Sequence, residues 1–181
     1  MPSSSNLPAI QGVNIDINVI EGRNLVAKDS SGVFSKKKSS DPYVKVYFGG
    51  KKYGKTQTID KTLSPSWNES FNIKLGTKEV GKILKGNSKY TSIDFVIFDE
   101  DNIGSDDPMG TVSIPFVVRD TPPDISAQWY KVEKGNGEYF CKKASGELLL
   151  KVSISVIQMM SMVRGNSQEI PCSTVLHMGK S

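Results

Sequence analysis

An all-β sandwich is the fold class this sequence predicts, and three observations predict it. Apolar and polar residues alternate along eight short segments. Clusters of Gly, Pro, Asn, Asp and Ser separate those segments. Only 77–86, TKEVGKILKG, has a helical character, and Gly81 weakens it. Such a pattern suits an eight-stranded antiparallel sandwich, because each strand buries one face and offers the other to water.

The elements follow in order. In VNIDINVI (13–20), Val13, Ile15, Ile17 and Val19 alternate with Asn14, Asp16 and Asn18, giving one buried face. YVKVYF (43–48) places Val44, Val46 and Phe48 together, and YGKTQTI (53–59) follows a GGKK turn as a hairpin partner. SWNESFNIKL (66–75) carries Trp67, Phe71, Ile73 and Leu75. SIDFVIFD (92–99), MGTVSIPF (109–116), AQWYKV (127–132) and GELLLKVSISVI (146–157) complete the set. The expected organisation is an N-terminal extension over 1–12, one domain over 13–157 and a tail over 158–181. The tail reads as disordered or as the start of a further region.

With 181 residues, 37% hydrophobic and 23% charged, the chain supports one domain with a full core. A net charge of +4 suits an anionic partner without requiring one, and nothing points to nucleic acid. MPSSSNLPAI has no basic n-region, so no secretory signal is expected. Cys141 and Cys172 are far apart and read as free thiols, which suits a cytoplasmic setting.

Several motifs invite a catalytic reading. GGKKYGKT (49–56) satisfies G-x-x-x-x-G-K-[ST], the pattern of a phosphate-binding loop. That chemistry needs a helix beginning at the lysine, whereas TQTIDKTLSPSW follows, with alternate threonines and Pro65. A glycine-rich hairpin turn is the simpler reading, and a nucleotide hydrolase is retained only as an alternative. An EF-hand starting at Asp99 fails, since Gly110 stands where the bidentate glutamate belongs. His177 near Cys172 lacks a third group, so no catalytic residue is expected.

The carboxylates are harder to dismiss. IFDEDNIGSDDPMG (97–110) sets Asp99, Glu100, Asp101, Asp106 and Asp107 at a strand end. Upstream, Asp29 ends one strand region and Asp41 begins the next, twelve positions later. Taken singly, each Asp is an ordinary turn residue. If the loops share one end of the sandwich, Asp29, Asp41, Asp99, Asp101 and Asp107 converge on a cup. An all-oxygen donor set on loops suits calcium better than magnesium or zinc. Within the first loop, GVFSKKK sets Val33 and Phe34 beside Lys36, Lys37 and Lys38, and Ile103 tops the third loop. An apolar tip ringed by lysines suits an anionic bilayer surface.

The order EGRNL, SDPYVKV, TLSPSWNESFNI, VIFDED and SDDPMG resembles the C2 domain, a calcium- and phospholipid-binding β-sandwich, from about 13 to about 157. TLSPSWNESF and SDPYVKV are most similar to the C2 domains of conventional protein kinases C. The strand order resembles the type II permutation. The resemblance implies that the five aspartates bind calcium, with two ions expected and one or three allowed. The main-chain carbonyls of Lys28 and Glu100 would add ligands, and Asp106 would stand behind Asp107. It also implies a phosphoinositide site at Tyr43, Lys45 and Lys55, with Phe98 as its aromatic. Gln57 replaces a usual lysine there. The expected function is calcium-dependent binding of a monomer to anionic phospholipid membranes, phosphatidylserine and phosphoinositides among them. Binding would work by charge reversal, at the cytoplasmic face when calcium rises. A calcium-independent protein-docking module is the alternative within the family. No enzyme activity is expected, though the domain could target a larger enzyme.

Overall fold

The computed structural model describes residues 10–28, 39–101, 104–116 and 126–158, and the backbone of 174–176. The strands are β1 (Ile10–Arg23), β2 (Pro42–Phe48), β3 (Lys51–Lys55), β4 (Ser66–Gly76), β5 (Ser92–Asp99), β6 (Asp107–Pro115), β7 (Gln128–Lys131) and β8 (Glu147–Gln158). Helix α1 (Thr77–Leu84) joins β4 to β5, and a short β9 (Thr174–Leu176) follows. One sheet runs β4-β1-β8-β7 and the other β3-β2-β5-β6, with every named pairing antiparallel. The first and last strands of the sandwich, β1 and β8, lie side by side within one sheet, the type II order. Strand β8 pairs with β7 along its first half and with β9 along 154–156, so its edge beside β7 is covered along both stretches.

The alternation read from the sequence is the packing. Val13, Ile15, Ile17 and Val19 of β1 and Leu148, Leu150, Ile154 and Val156 of β8 face the core. They meet Val44, Val46 and Phe48 of β2 and Ile93, Phe95 and Ile97 of β5 from the other sheet. A second, smaller cluster forms on the outer face of the β3-β2-β5-β6 sheet. There Tyr43, Val96 and Phe98 are covered by Tyr47 and Tyr139.

Most element ends shift by a residue or so and β3 stops at Lys55, short of 59; three of the starts are instructive. Strand β3 begins at Lys51 because Gly49 and Gly50, at φ +60 and +76, make a two-residue turn that pairs Phe48 with Lys51. Strand β6 begins at Asp107 because it pairs with Asp99 across β5. Strand β1 begins at Ile10, three residues before the expected domain start.

The hairpin also settles the phosphate-loop motif. Gly54 sits where a Cβ would come within 2.2 Å of the Phe71 ring, so this glycine lets the two sheets approach. Thr56 is buried, and its hydroxyl accepts the Val44 N–H at 2.9 Å. No helix follows Lys55, so the N-terminal N–H groups that cradle a phosphate do not form.

Candidate functional site

The described parts of three loops lie together at the end of the sandwich where β1 finishes. The β3–β4 loop is fastened to the β1–β2 connection by Thr62 N–H to Ser40 O and by Leu25 N–H to Leu63 O. Buried Ser40 accepts the Lys28 N–H at 2.9 Å and donates to Val26 O at 3.3 Å. Trp67 of β4 donates from Nε1 to Pro42 O at 3.3 Å. Asn68 takes φ +52, a left-handed conformation that Asn tolerates, where the β1–β4 register shifts. The SPSWNES stretch is therefore a brace for the loops rather than a source of ligands.

That brace sets carboxylates across adjacent strand ends. In the registers of β2, β5 and β6, Asp99 lies opposite both Pro42 and Asp107. Asp41, one residue before β2, donates its N–H to Asp99 Oδ1, and its own carbonyl accepts the Glu100 N–H. Asp41 Oδ1 accepts the Lys61 N–H at 2.6 Å. Asp99 is 2% exposed, an unusual place for a carboxylate. Asp107 is exposed, with Lys28 Nζ 4.0 Å from its Oδ2. Asp101 lies just past β5, its N–H donated to Asp106 Oδ1 at 3.3 Å. The structure thus brings Asp41, Asp99, Asp101, Asp107, Lys28 and Glu100 to one end of the molecule. Asp29, Val33, Phe34, Lys36, Lys37, Lys38 and Ile103 lie outside the described residues. Among the described residues, no three His, Cys, Asp or Glu side chains stand close enough to hold a metal ion.

The lysine face adjoins this end. Tyr43 stacks on Phe98 with centroids 5.5 Å apart, and its hydroxyl donates to Asp106 Oδ2 at 2.5 Å. Lys45 and Lys55 are register partners on β2 and β3. Lys45 Nζ lies 4.0 Å from the Phe98 ring centroid, and Lys55 Nζ lies 3.7 Å from that of Tyr43. Lys55 also pairs with Glu100 Oε1 at 2.7 Å. The hydrogen bond from Tyr43 holds the Asp106 carboxyl below its usual range, and the one from Lys55 does the same for Glu100. Burial, and then the bond to Asp106, push the Tyr43 phenol well up. Desolvation lowers the Lys45 ammonium. Each lysine is thus engaged with rings, and Lys55 with an acid as well. Sequence reading placed Asp106 behind Asp107 without its bond to Tyr43, and did not single out Tyr139. Asp106 serves Tyr43, and Tyr139, from the loop before β8, packs on Phe98 and Tyr47 at 6.1 and 5.8 Å. No motif marked either role.

The described residues thus form an antiparallel sandwich with carboxylates gathered at one end and Lys45 and Lys55 on the sheet face beside them. The family model described as "C2 domain" matches residues 13–132, and the chain belongs to that family. It is 32% identical over 136 residues to the Rho GTPase-activating protein gacEE of Dictyostelium discoideum, covering 74% of this chain and 20% of that protein. It is 38% identical over 104 residues to Synaptotagmin-1 of Aplysia californica, covering 56% and 21%. The chain therefore spans about a fifth of the length of these relatives. Among solved structures, the calcium-bound pair of C2 domains of Extended-Synaptotagmin 2 matches with a TM-score of 0.57 at 22% identity, covering 83% of this chain and 48% of that one. A single C2 domain of a plant Extended Synaptotagmin 1 matches with a TM-score of 0.56 at 20% identity, covering 83% and 99%. These structures share the fold. Among the described residues, no helix is long and apolar enough to cross a membrane.

Proposed function

We propose that the chain is a calcium-dependent module for anionic phospholipid membranes, acting through the aspartates at one end of the sandwich. The observation that carries the reading is the alignment of Asp41, Asp99 and Asp107 across the ends of β2, β5 and β6. Their donors are carboxylate oxygens, the type calcium takes; the described side chains alone do not close around an ion, so Asp29 would complete the set from the first loop. Asp101 and the carbonyls of Lys28 and Glu100 are the remaining proposed ligands. Bound there, calcium would supply positive charge and open positions for lipid phosphate or carboxylate oxygens. The protein's own part is to gather negative charge at one end of the sandwich, with Asp99 buried and Asp107 exposed, and to brace it through Ser40, Trp67 and Lys61.

Without the ion, the acidic end repels an anionic bilayer; with two ions held, the repulsion reverses. Lys45 and Lys55 would add attraction from the sheet face, phosphoinositides included, and the tip residues Val33, Phe34, Lys36, Lys37, Lys38 and Ile103 would meet the bilayer. The domain would act as a monomer, recruited from the cytoplasm as calcium rises, and would serve as the targeting part of a larger protein. Co-sedimentation with phosphatidylserine vesicles, with calcium or with chelator, tests the reading. Calcium-dependent pelleting is expected, and equal pelleting in both conditions would overturn it.

A second reading rests on Lys28, whose ammonium near Asp107 already supplies a cation to the acidic end. A calcium-independent protein-docking module follows if that internal charge suffices. Calorimetric titration with calcium separates the two, since the second reading expects no heat of binding.

A further inference from the structure

The loop between β7 and β8 carries an exposed phenylalanine that the acidic end does not explain. Phe140 is 53% exposed, and the other exposed large apolar residues among those described are Leu84 and Ile157. Burying such a ring is favourable, so leaving it in water is a cost unless something covers it.

Its outward position is built into the loop. Thr111 and Glu133 exchange both backbone hydrogen bonds at 2.9 Å, which ties the start of the loop to β6. Cys141 N–H donates to Lys134 O at 2.7 Å, and Phe140 N–H to Gly137 O at 3.2 Å. Gly135 takes φ +69, and a Cβ there would meet Tyr139 O at 2.5 Å, so the tight turn requires glycine. On either side of Phe140 the chain points inward: Tyr139 packs on Phe98 and Tyr47, and Cys141 is buried. The ring between them therefore faces out from a hydrogen-bonded frame.

Beyond Glu133 its loop is basic on balance, with three exposed lysines against the exposed Glu138. Lys134, Lys142 and Lys143 are exposed, and no ion pair among the described residues engages them. Its place is beside the acidic end. Glu138 and Tyr139 line one cleft together with Ser105, Asp106 and Asp107 of the third loop. Strand β8 starts opposite Arg23, where β1 ends, so this loop leaves the sandwich at the same end as the aspartates.

We infer that Phe140, in a loop that also carries the exposed Lys134, Lys142 and Lys143, is a second membrane anchor that seats the sandwich on an anionic bilayer alongside the aspartate loops. The inference rests on the membrane reading above and adds an orientation to it: the domain docks on the corner shared by the third loop and the β7–β8 loop. The ring enters the acyl boundary while the ammonium groups stay at headgroup level. Leu84 is more exposed, at 70%, but α1 follows Gly76, which pairs with Gly12 at the opposite end of β1. A rigid sandwich docked on the Phe140 corner leaves Leu84 in water.

The test uses the full chain with vesicles of phosphatidylserine and phosphatidylcholine, in calcium. Phe140→Trp and Leu84→Trp report position through emission spectra taken as differences from wild type, which carries Trp67 and Trp129. A blue shift on Phe140→Trp, quenched by acyl-brominated lipid, with none on Leu84→Trp, is the expected result. Phe140→Ala should keep its melting temperature and lose about tenfold or more in vesicle partitioning. Lys142→Ala and Lys143→Ala should each lose about fivefold, and less at high salt. If wild type binds vesicles while Phe140→Trp emission stays unmoved and Phe140→Ala partitions normally, the anchor is overturned and the calcium reading stands. A shift at Leu84→Trp instead overturns the orientation. If wild type fails to bind these vesicles at all, the membrane reading falls and the anchor with it.

Discussion

Replacing Asp99 with Asn separates charge from structure at the acidic end. Asp99 accepts the Asp41 N–H through Oδ1, an atom that the Asn side chain retains, so the link between β5 and the start of β2 survives. What disappears is the negative charge opposite Asp107. Directly opposed side chains lie about 5 Å apart, where like charges repel by about 1 kcal/mol in water and about 3 kcal/mol at an effective dielectric of 20. The solvated Asp107 argues for the lower half of that range. Exchanging a charge-assisted hydrogen bond for a neutral one returns about 1 kcal/mol. Without calcium, Asp99→Asn should therefore match or slightly exceed the wild type in stability. Calcium at a hundredfold excess over its dissociation constant should stabilise the wild type by about 2.7 kcal/mol. For a domain of this size that is about 5–11 °C in melting temperature. Asp99→Asn should show almost none of that shift. Circular dichroism melts with calcium, magnesium and chelator make the comparison, with calorimetric titration as a second readout. A wild-type calcium shift in Asp99→Asn would refute the site. A variant that unfolds without calcium would show that Asp99 is a structural carboxylate.

Three further outcomes follow from the geometry. Lys28→Met removes the ammonium 4.0 Å from Asp107; with about 1 kcal/mol of competing attraction gone, calcium should bind about fivefold tighter, and unchanged affinity would show that Lys28 does not compete. Tyr43→Phe removes the hydrogen bond that depresses the Asp106 carboxyl. A depressed carboxyl contributes stability that is present above its unfolded value, near pH 4, and is lost as pH falls through the folded value. The variant should therefore lose about 1–2 kcal/mol at pH 7, and the gap should close towards pH 2; urea melts with a constant gap across that range would count against the linkage. Gly54→Ala drives a methyl group into the Phe71 ring and should destabilise by about 1–3 kcal/mol without changing calcium affinity, measured by urea unfolding and titration.

The strands were legible in the sequence because burial of one face imposes a period of two on each segment by itself. Val13 to Val19 and Leu148 to Val156 needed no partner to be read as one-sided, and both face the core. The family resemblance, carried by short stretches such as SDPYVKV and SPSWNES, matched the domain that the family model finds over 13–132. The phosphate-loop motif could be discounted from its flanks, but only tertiary structure supplied the reason for its second glycine, the Phe71 ring from the opposite sheet. The sharpest limit falls at Asp106 and Asp107. They are adjacent and chemically identical; the family resemblance set Asp106 behind Asp107, but nothing local in the sequence says what Asp106 bonds to. Pairing of β6 with β5 sets Asp107 opposite Asp99 at the acidic end. Asp106, one position earlier, bonds to Tyr43 on the lysine face. Which carboxylate joins which site is decided by the register between strands, a property of contacts distant in sequence that the chain order alone does not encode.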